Sequence, residues 1–402
     1  MRKPNNFYDK DNYKIAMLGH KRIPSREGGI EIVVEEISTR MAALGHEVVC
    51  YNRKGHHVSG KEFDRKSVKI YNGVRLKSVF TVDLKGLAAM TASTAAAIKA
   101  AFGRYDIVHF HAEGPCAMLW LPRLLGKRSV ATIHGLDHLR GKWGRLASAY
   151  IMLGERIAVK FADEMIVLST ETQKYFEQTY GRITRFIPNG VNRPALKEAN
   201  EIAAKYGLKK DSYILFLGRI VPEKGIGYLI EAFKKVKTDK KLVIAGGASD
   251  TTTYMQELKE AAAGDERIVF TGFVQGNLLE ELYSNAYLYS LPSDLEGMPL
   301  SLLEAMSYGN CCLVSDIAEC TEVVKDKAVV FRKGNVFDLT EKLKLLCEDQ
   351  DLVNQYKKDA ADYICTKYNW DEIVQQTIAL YSGKKREASG NGKEAYVFGG
   401  KI

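Results

Sequence analysis

Short apolar, β-branched runs separated by helix-patterned stretches occur in two successive series along this chain, and no other feature limits its fold as strongly. KIAMLG (14–19), EVVCYN (47–52), DIVHFH (106–111), SVATIH (129–134) and EMIVLS (164–169) make the first series. YILFLGR (213–219), KLVIAGG (241–247), RIVFTG (267–272), AYLYSLP (286–292) and CCLVSD (311–316) make the second. Between them, helical spacing recurs: Ile30, Val33, Val34, Ile37, Met41 and Leu44 share one face, with Gly45 where a C-cap belongs. One segment breaks the alternation, because Asn72-Gly73 lies between two alternating runs of residues 68–80 and signals a hairpin. Two βα series predict an α/β chain of two Rossmann-like doubly wound domains facing a central cleft, each with a mostly parallel sheet. The domains expected are residues 1–192 and 193–369, followed by a closing helix over 370–382 and a polar, Gly-rich tail over 383–402 that reads as flexible.

Composition narrows the class. The 402 residues are 46% apolar and 27% charged, the balance of a globular chain rather than a disordered or fibrous one. Seven cysteines, an odd number with no CxxC spacing, fit a reducing cytoplasm and offer no metal or redox motif. The polar start and the lack of a long uncharged apolar run argue against export and membrane spanning. Charge is uneven: Lys and Arg number 30 against 18 Asp and Glu in residues 1–192, a balance of +12, and 28 against 31 thereafter, −3. The basic first half suits an anionic partner and a solvated basic surface equally; of anionic partners, a membrane surface fits better than nucleic acid, since no nucleic-acid-binding pattern organises the basic residues. Residues 84–104 are the expected contact: Leu84, Leu87, Met90, Ile98 and Phe102 are apolar, and Lys85, Lys99 and Arg104 flank them, although the alanines suit a helix packed on a sheet equally well.

Residues that follow strands carry the chemistry in such folds. Arg219 and Lys224-Gly225 come after YILFLGR and before a helical pattern, so two cations meet a helix N-terminus, an arrangement suited to a diphosphate. In SDLEGMPLSLLEAMSYGN (293–310), Pro299 predicts a helix start that leaves Glu296 in the loop and puts Glu304 in the second turn. The two carboxylates can then accept from separate hydroxyls of one extended ligand, with Gly297, Met298, Pro299 and Leu300 leading into the helix N-terminus between them; spacing alone fits a helix-terminal charge and an exposed Glu better. The loop of residues 20–29, with Arg26, Gly28 and Gly29, is a candidate substrate cradle and lacks the GxGxxG spacing of a dinucleotide site. His109 and His111 share a strand face without a third ligand identifiable by spacing, so they read as lining or satisfied histidines. His134 ends a strand and is placed to orient a substrate group.

Taken together, REGGIE, HFHAEGP, TIHGLDHLRGKW, IPNGV, GRIVPEKG and above all EGMPLSLLE resemble the retaining glycosyltransferases of family 4, over about residues 13–382. The resemblance implies the glycosyltransferase-B fold and a nucleotide-sugar donor. It implies donor-binding roles for Arg219, Lys224, Glu304, Gly28, Gly29 and residues 297–300, and catalytic roles for Glu296 and His134 near the transferred sugar. Arg26, Glu113 and Asp137 become acceptor-side residues. No cofactor or metal is implied. HGLDHLRGKW further resembles a bacterial subgroup of surface-polysaccharide assembly, whose acceptors are glycans or lipid-linked sugars; the enzyme would then work in the cytoplasm, peripherally on the inner face of the membrane. WDEIVQQTIALY (370–381) resembles the family's closing helix, which returns to the N-terminal domain. The chain departs from the family in reading EGMPL for the commoner EGFGL, and AECTEVV (318–324) lacks the usual paired glycines. A non-catalytic glycosyltransferase-like partner protein and a sugar phosphorylase of the same fold stay open as alternatives, whereas a glycosidase would need no diphosphate site.

Overall fold

A computed structural model of the chain describes residues 12–57, 60–63, 68–84, 86–139, 144–247, 252–383, 385–387 and 395–397. Lys85, in the expected membrane contact, and residues 140–143 of the HGLDHLRGKW motif lie outside them, as does most of the tail. The chain divides into two units: residues 1–55, 65–189 and 370–402 form the first, and residues 56–64 and 190–369 the second.

The first unit is built on eight strands: β1 (Lys14–Leu18), β2 (Glu47–Arg53), β3 (Ile70–Tyr71), β4 (Val74–Val79), β5 (Ile107–His111), β6 (Arg128–Ile133), β7 (Glu164–Val167) and β8 (Arg185–Phe186). Their spatial order is β3-β4-β2-β1-β5-β6-β7-β8, parallel except for the β3–β4 hairpin that Asn72-Gly73 closes. The helices are α1 (Gly29–Ala43), α2 (Leu87–Phe102), α3 (Trp120–Leu124), α4 (Arg145–Phe161) and α5 (Thr170–Tyr180). Strand β5 is buried throughout and β1 beyond its first residue, as a sheet covered on both faces requires. Helix α2 packs through Ala92, Ala96, Ala97, Ala100 and Ala101, all buried, and small side chains let it lie close to its neighbours.

The second unit orders its strands β11-β10-β9-β12-β13-β14, all parallel. In chain order its elements are α6 (Glu201–Tyr206), β9 (Tyr213–Leu217), α7 (Ile226–Lys234), β10 (Lys241–Ala245), α8 (Thr252–Ala262), β11 (Ile268–Gly272), α9 (Asn277–Ser284), β12 (Leu288–Leu291), α10 (Leu300–Ser307), β13 (Cys311–Ser315), α11 (Ala318–Val324), β14 (Val329–Phe331), α12 (Val336–Glu348) and α13 (Gln350–Lys367). The final helix, α14 (Trp370–Tyr381), belongs to the first unit, where Arg40 Nε donates to Asp371 at 2.9 Å and Tyr381 meets His109 at 2.7 Å. In the tail read as flexible, β15 (Lys385–Glu387) and β16 (Ala395–Val397) pair antiparallel.

In each sheet the chain reverses its direction of winding once. That switch point lies between β1 and β5 in the first unit and between β9 and β12 in the second, and ligand crevices of open α/β sheets open beyond the carboxyl ends of such strands.

Candidate active site

At the second unit's switch point, β9 runs into Gly218 and Arg219, then a 3-10 turn over Pro222–Lys224 and helix α7. Gly225 must be glycine here: its φ is +64°, and a Cβ would stand 2.0 Å from the Pro292 carbonyl oxygen. That close approach brings the loop after β9 against the loop after β12. Lys224 Nζ consequently donates to Glu296 Oε1 at 2.5 Å, with both residues 8% exposed. Ser293 Oγ donates to the same carboxylate oxygen at 2.7 Å, and Ser315 Oγ at the end of β13 donates to the Ser293 carbonyl at 2.5 Å. An ammonium and a carboxylate taken out of water together hold each other in register, and breaking such a pair costs far more than it contributes net.

Helix α10 begins where Pro299 predicts, with Pro299 as its N-cap. Glu296 is in the preceding loop and Glu304 in the second turn, where Tyr283 Oη donates to Glu304 Oε2 at 3.3 Å. Gly297, Met298, Pro299 and Leu300 are all buried. Arg219 and Glu304 are half-buried. The arrangement combines two cations, a partly free helix N-terminus and two carboxylates at the carboxyl ends of neighbouring strands, which is the donor and acceptor set for an anionic group flanked by hydroxyls.

The first unit's switch point has different chemistry. His109 is wholly buried and satisfied: Nδ1 meets Tyr381 Oη and Nε2 meets Thr132 Oγ1, each at 2.7 Å, and burial lowers its pKa to about 3. His111, stacked on it at 4.3 Å, reaches His134 with Nδ1 to Nε2 at 3.0 Å. Burial, then its neighbours His109 and His134, hold His111 well below the ordinary range, so these imidazoles are neutral hydrogen-bonding groups. His20 is likewise lowered to about 4 by burial. In the loop before α1, Arg26 and Gly29 are exposed, Gly28 is the helix N-cap, and the Glu31 carboxylate takes the Lys21 backbone N–H at 2.8 Å.

Ala112, directly after β5, has φ +72°, a left-handed conformation uncommon for a residue with a side chain. The kink turns Glu113 inward. Its carboxylate is wholly buried, with Oε2 accepting the Asp137 N–H at 2.8 Å, so it braces the loop that follows His134 and is not presented at the surface. Where sequence spacing offered no third ligand beside His109 and His111, the fold collects three ligand-type side chains nearby: Glu113, His138 and Glu155, with ligand atoms within 4.8 Å of one another. Their separations of 25 and 17 positions gave no motif; the one signal was Gly154 next to Glu155 in an otherwise strong helix pattern.

Two family models match this chain. "Glycosyltransferase Family 4" covers residues 27–193 and "Glycosyl transferases group 1" covers residues 198–363. An uncharacterized glycosyltransferase of Bacillus subtilis, YqgM, is 30% identical over 64% of this chain and 69% of its own length. An uncharacterized glycosyltransferase of Methanocaldococcus jannaschii is 26% identical over 92% of this chain and 97% of its own. Among solved structures, Anabaena HepE in complex with UDP-glucose superposes with a TM-score of 0.76 at 18% identity, covering 92% of this chain and all of that one. With both halves matched and a relative at this identity covered over more than two thirds of its length, the chain belongs to the family 4 glycosyltransferases of the glycosyltransferase-B fold.

Proposed function

We propose that the protein is a retaining hexosyltransferase that moves a sugar from a nucleotide-sugar donor to a glycan or lipid-linked acceptor in the synthesis of cell-surface polysaccharide or glycoconjugate. The observation that carries this reading is the buried Lys224–Glu296 pair at the β9/β12 switch point, with Arg219 in the same loop. The UDP-glucose bound to the Anabaena neighbour supports the donor class, and the HGLDHLRGKW motif supports the acceptor class.

In the proposed reaction, Arg219 and Lys224 take the donor diphosphate oxygens, assisted by backbone N–H groups at the start of α10. Glu304 accepts the ribose hydroxyls, and Glu296 contacts the transferred sugar or its neighbouring phosphate. His134, tied to His111, orients a sugar hydroxyl. As the bond from the anomeric carbon to the phosphate oxygen breaks, the cations stabilise the growing negative charge. The acceptor oxygen bonds to the same face of that carbon, and its proton passes to the departing phosphate oxygen. Side-chain cations supply this stabilisation, so donor binding requires no metal. Profiling a panel of nucleotide sugars for turnover, with proton NMR of the product, tests the reading: the anomeric configuration of the donor is retained. An inverted product, or donor affinity that vanishes with EDTA and returns with a divalent ion, contradicts it.

Peripheral association with the inner face of the cytoplasmic membrane is part of the proposal. No helix among the described residues is long and apolar enough to cross a membrane. Lys14, Arg75, Lys77, Lys99 and Arg104 line one cavity of about 550 Å³ at the amino edge of the first sheet, together with Glu47, which pairs with Lys14 at 3.0 Å and leaves four cations there in excess. Beside them Phe102 is 75% exposed. Cations around an exposed aromatic match anionic headgroups over an apolar interior.

A further inference from the structure

The first unit holds a group of buried polar atoms that the glycosyl-transfer chemistry does not use. Glu113 follows the kink after β5, His138 lies in the 3-10 turn Asp137–Leu139 after β6, and Glu155 is in the middle of α4. Gly154 makes their meeting possible, since a Cβ there would stand 2.1 Å from the Glu113 carbonyl oxygen. Without that side chain, α4 lies directly on the Glu113 backbone and brings Glu155 beside it.

Both glutamates are wholly buried, and His138 is nearly so, with a side chain 12% exposed. Each carboxylate has one oxygen engaged and one left over. Glu113 Oε2 accepts the Asp137 N–H at 2.8 Å, and Glu155 Oε1 accepts Tyr175 Oη at 2.8 Å and Tyr180 Oη at 2.5 Å. Glu113 Oε1, Glu155 Oε2 and His138 Nδ1 remain without a hydrogen-bond partner, and they converge. His138 Nδ1 is 3.3 Å from Glu155 Oε2 and 3.7 Å from Glu113 Oε1. Two bonds of about 2.1 Å at a tetrahedral angle set their ligand atoms about 3.4 Å apart, the length of a tetrahedral zinc site's edge. The engaged oxygens supply the outer hydrogen bonds that orient metal ligands.

Charge leads to the same place. Two carboxylates side by side out of water need a compensating positive charge, and among the described residues neither has a lysine or arginine ion pair. We propose that Glu113, His138 and Glu155 hold a divalent transition-metal ion of the zinc class, which fastens the loop after β6 to α4. One imidazole with two carboxylates favours such an ion over magnesium or calcium, which prefer all-oxygen sets. The ion would be structural: it fixes the loop that begins at His134, and lies apart from the Lys224 site in the sequence and chemistry assigned to the donor. The competing occupant is a proton, because burial and the neighbouring Glu155 push the Glu113 carboxyl up to about 10 when nothing else neutralises it.

The test uses the full chain purified without metal-affinity resin, stripped with a chelator and dialysed. Zn²⁺ is titrated by calorimetry, Co²⁺ by visible absorption, and thermal unfolding is followed with and without Zn²⁺. The site predicts one equivalent bound, a Co²⁺ band of tetrahedral intensity, and a zinc-dependent rise in Tm. Glu113→Gln, Glu155→Gln and His138→Ala should each weaken Zn²⁺ binding by tenfold or more and abolish the Tm rise, and Glu155→Gln, on α4, should leave nucleotide-sugar affinity within twofold. The glutamine variants keep the side-chain volume; the Co²⁺ spectrum of the unaltered chain tests the site even if a variant fails to fold. Undiminished Zn²⁺ affinity in all three variants overturns the proposal. So does a chain that binds no Zn²⁺ or Co²⁺ and gains stability from Glu113→Gln, which would assign the site to a shared proton.

Discussion

The two sheets reverse at equivalent points and build opposite chemistry there. Beyond β9 and β12 stand a lysine, an arginine and a carboxylate bound to the lysine; in and just after β5 stand the neutral histidines His109 and His111 and a buried carboxylate, Glu113, that has no lysine or arginine ion pair among the described residues. Net charge would have suggested the reverse, since residues 1–192 carry +12 and the rest −3. Five cations of the first unit, Lys14, Arg75, Lys77, Lys99 and Arg104, line a cavity at the amino edge of its sheet, while Arg22 and Arg53, after β1 and at the end of β2, face the carboxylates Glu27 and Glu31. Net charge therefore describes what a domain approaches, and the few residues after particular strands decide what it binds.

The largest effect expected from breaking this contrast is Lys224→Ala. It leaves the Glu296 carboxylate buried without its partner, which costs about 3–5 kcal/mol of stability. Calorimetric unfolding should show it, and Lys224→Ala with Glu296→Gln together should recover part of the loss. Equal stability of Lys224→Ala and the parent would mean that the pair is not buried as described.

Glutamate substitutions separate the two carboxylates of the second unit. Glu296→Gln should lower turnover more than donor affinity, and Glu304→Gln should lower donor affinity more than turnover, each by roughly one to two powers of ten. Steady-state kinetics with a saturating acceptor distinguishes them; the same pattern in both variants would remove the division of roles.

A third comparison concerns pH. His20 and His109 titrate near 6.5 when unfolded and are lowered by burial to about 4 and about 3 in the folded chain. The unfolded state then binds more protons below pH 6.5, so stability is full above that pH and falls as pH drops toward 4. Tm measured from pH 8 to 4 should decline across that window, and His109→Gln should flatten part of the decline. A Tm that rises on acidification contradicts the neutral-histidine assignment.

How much of this could be read from the chain alone depends on how local the cause is. The strands and the hairpin at Asn72-Gly73 follow from neighbouring residues, and the start of α10 follows from Pro299. Contacts set by packing were not legible. Tyr381 satisfies His109 from 272 positions away. Lys224 meets Glu296 only because Gly225 lets one loop press on another, and Glu113, His138 and Glu155 meet only because α4 lies on the Glu113 backbone. The strain at Ala112, which turns Glu113 inward, has no signature in the residue itself.

The smallest effect expected is on the membrane. Vesicle flotation at low ionic strength should recover the protein with anionic liposomes and not with neutral ones, and salt should release it. Phe102→Ala, or Lys99→Gln with Arg104→Gln, should weaken recovery by about 1 kcal/mol per residue. Recovery with neither lipid at any salt would leave a soluble acceptor.

Titration calorimetry shows whether the β9/β12 switch point holds a donor diphosphate. UDP, GDP and dTDP sugars are titrated into the parent chain, Arg219→Ala and Lys224→Ala, with unfolding curves to confirm that each is folded. A charge-assisted phosphate bond contributes about 1.5–3 kcal/mol. At least one nucleotide sugar should bind the parent chain and bind each folded variant roughly tenfold or more weakly. Unchanged affinity for that donor in both variants would contradict the diphosphate assignment.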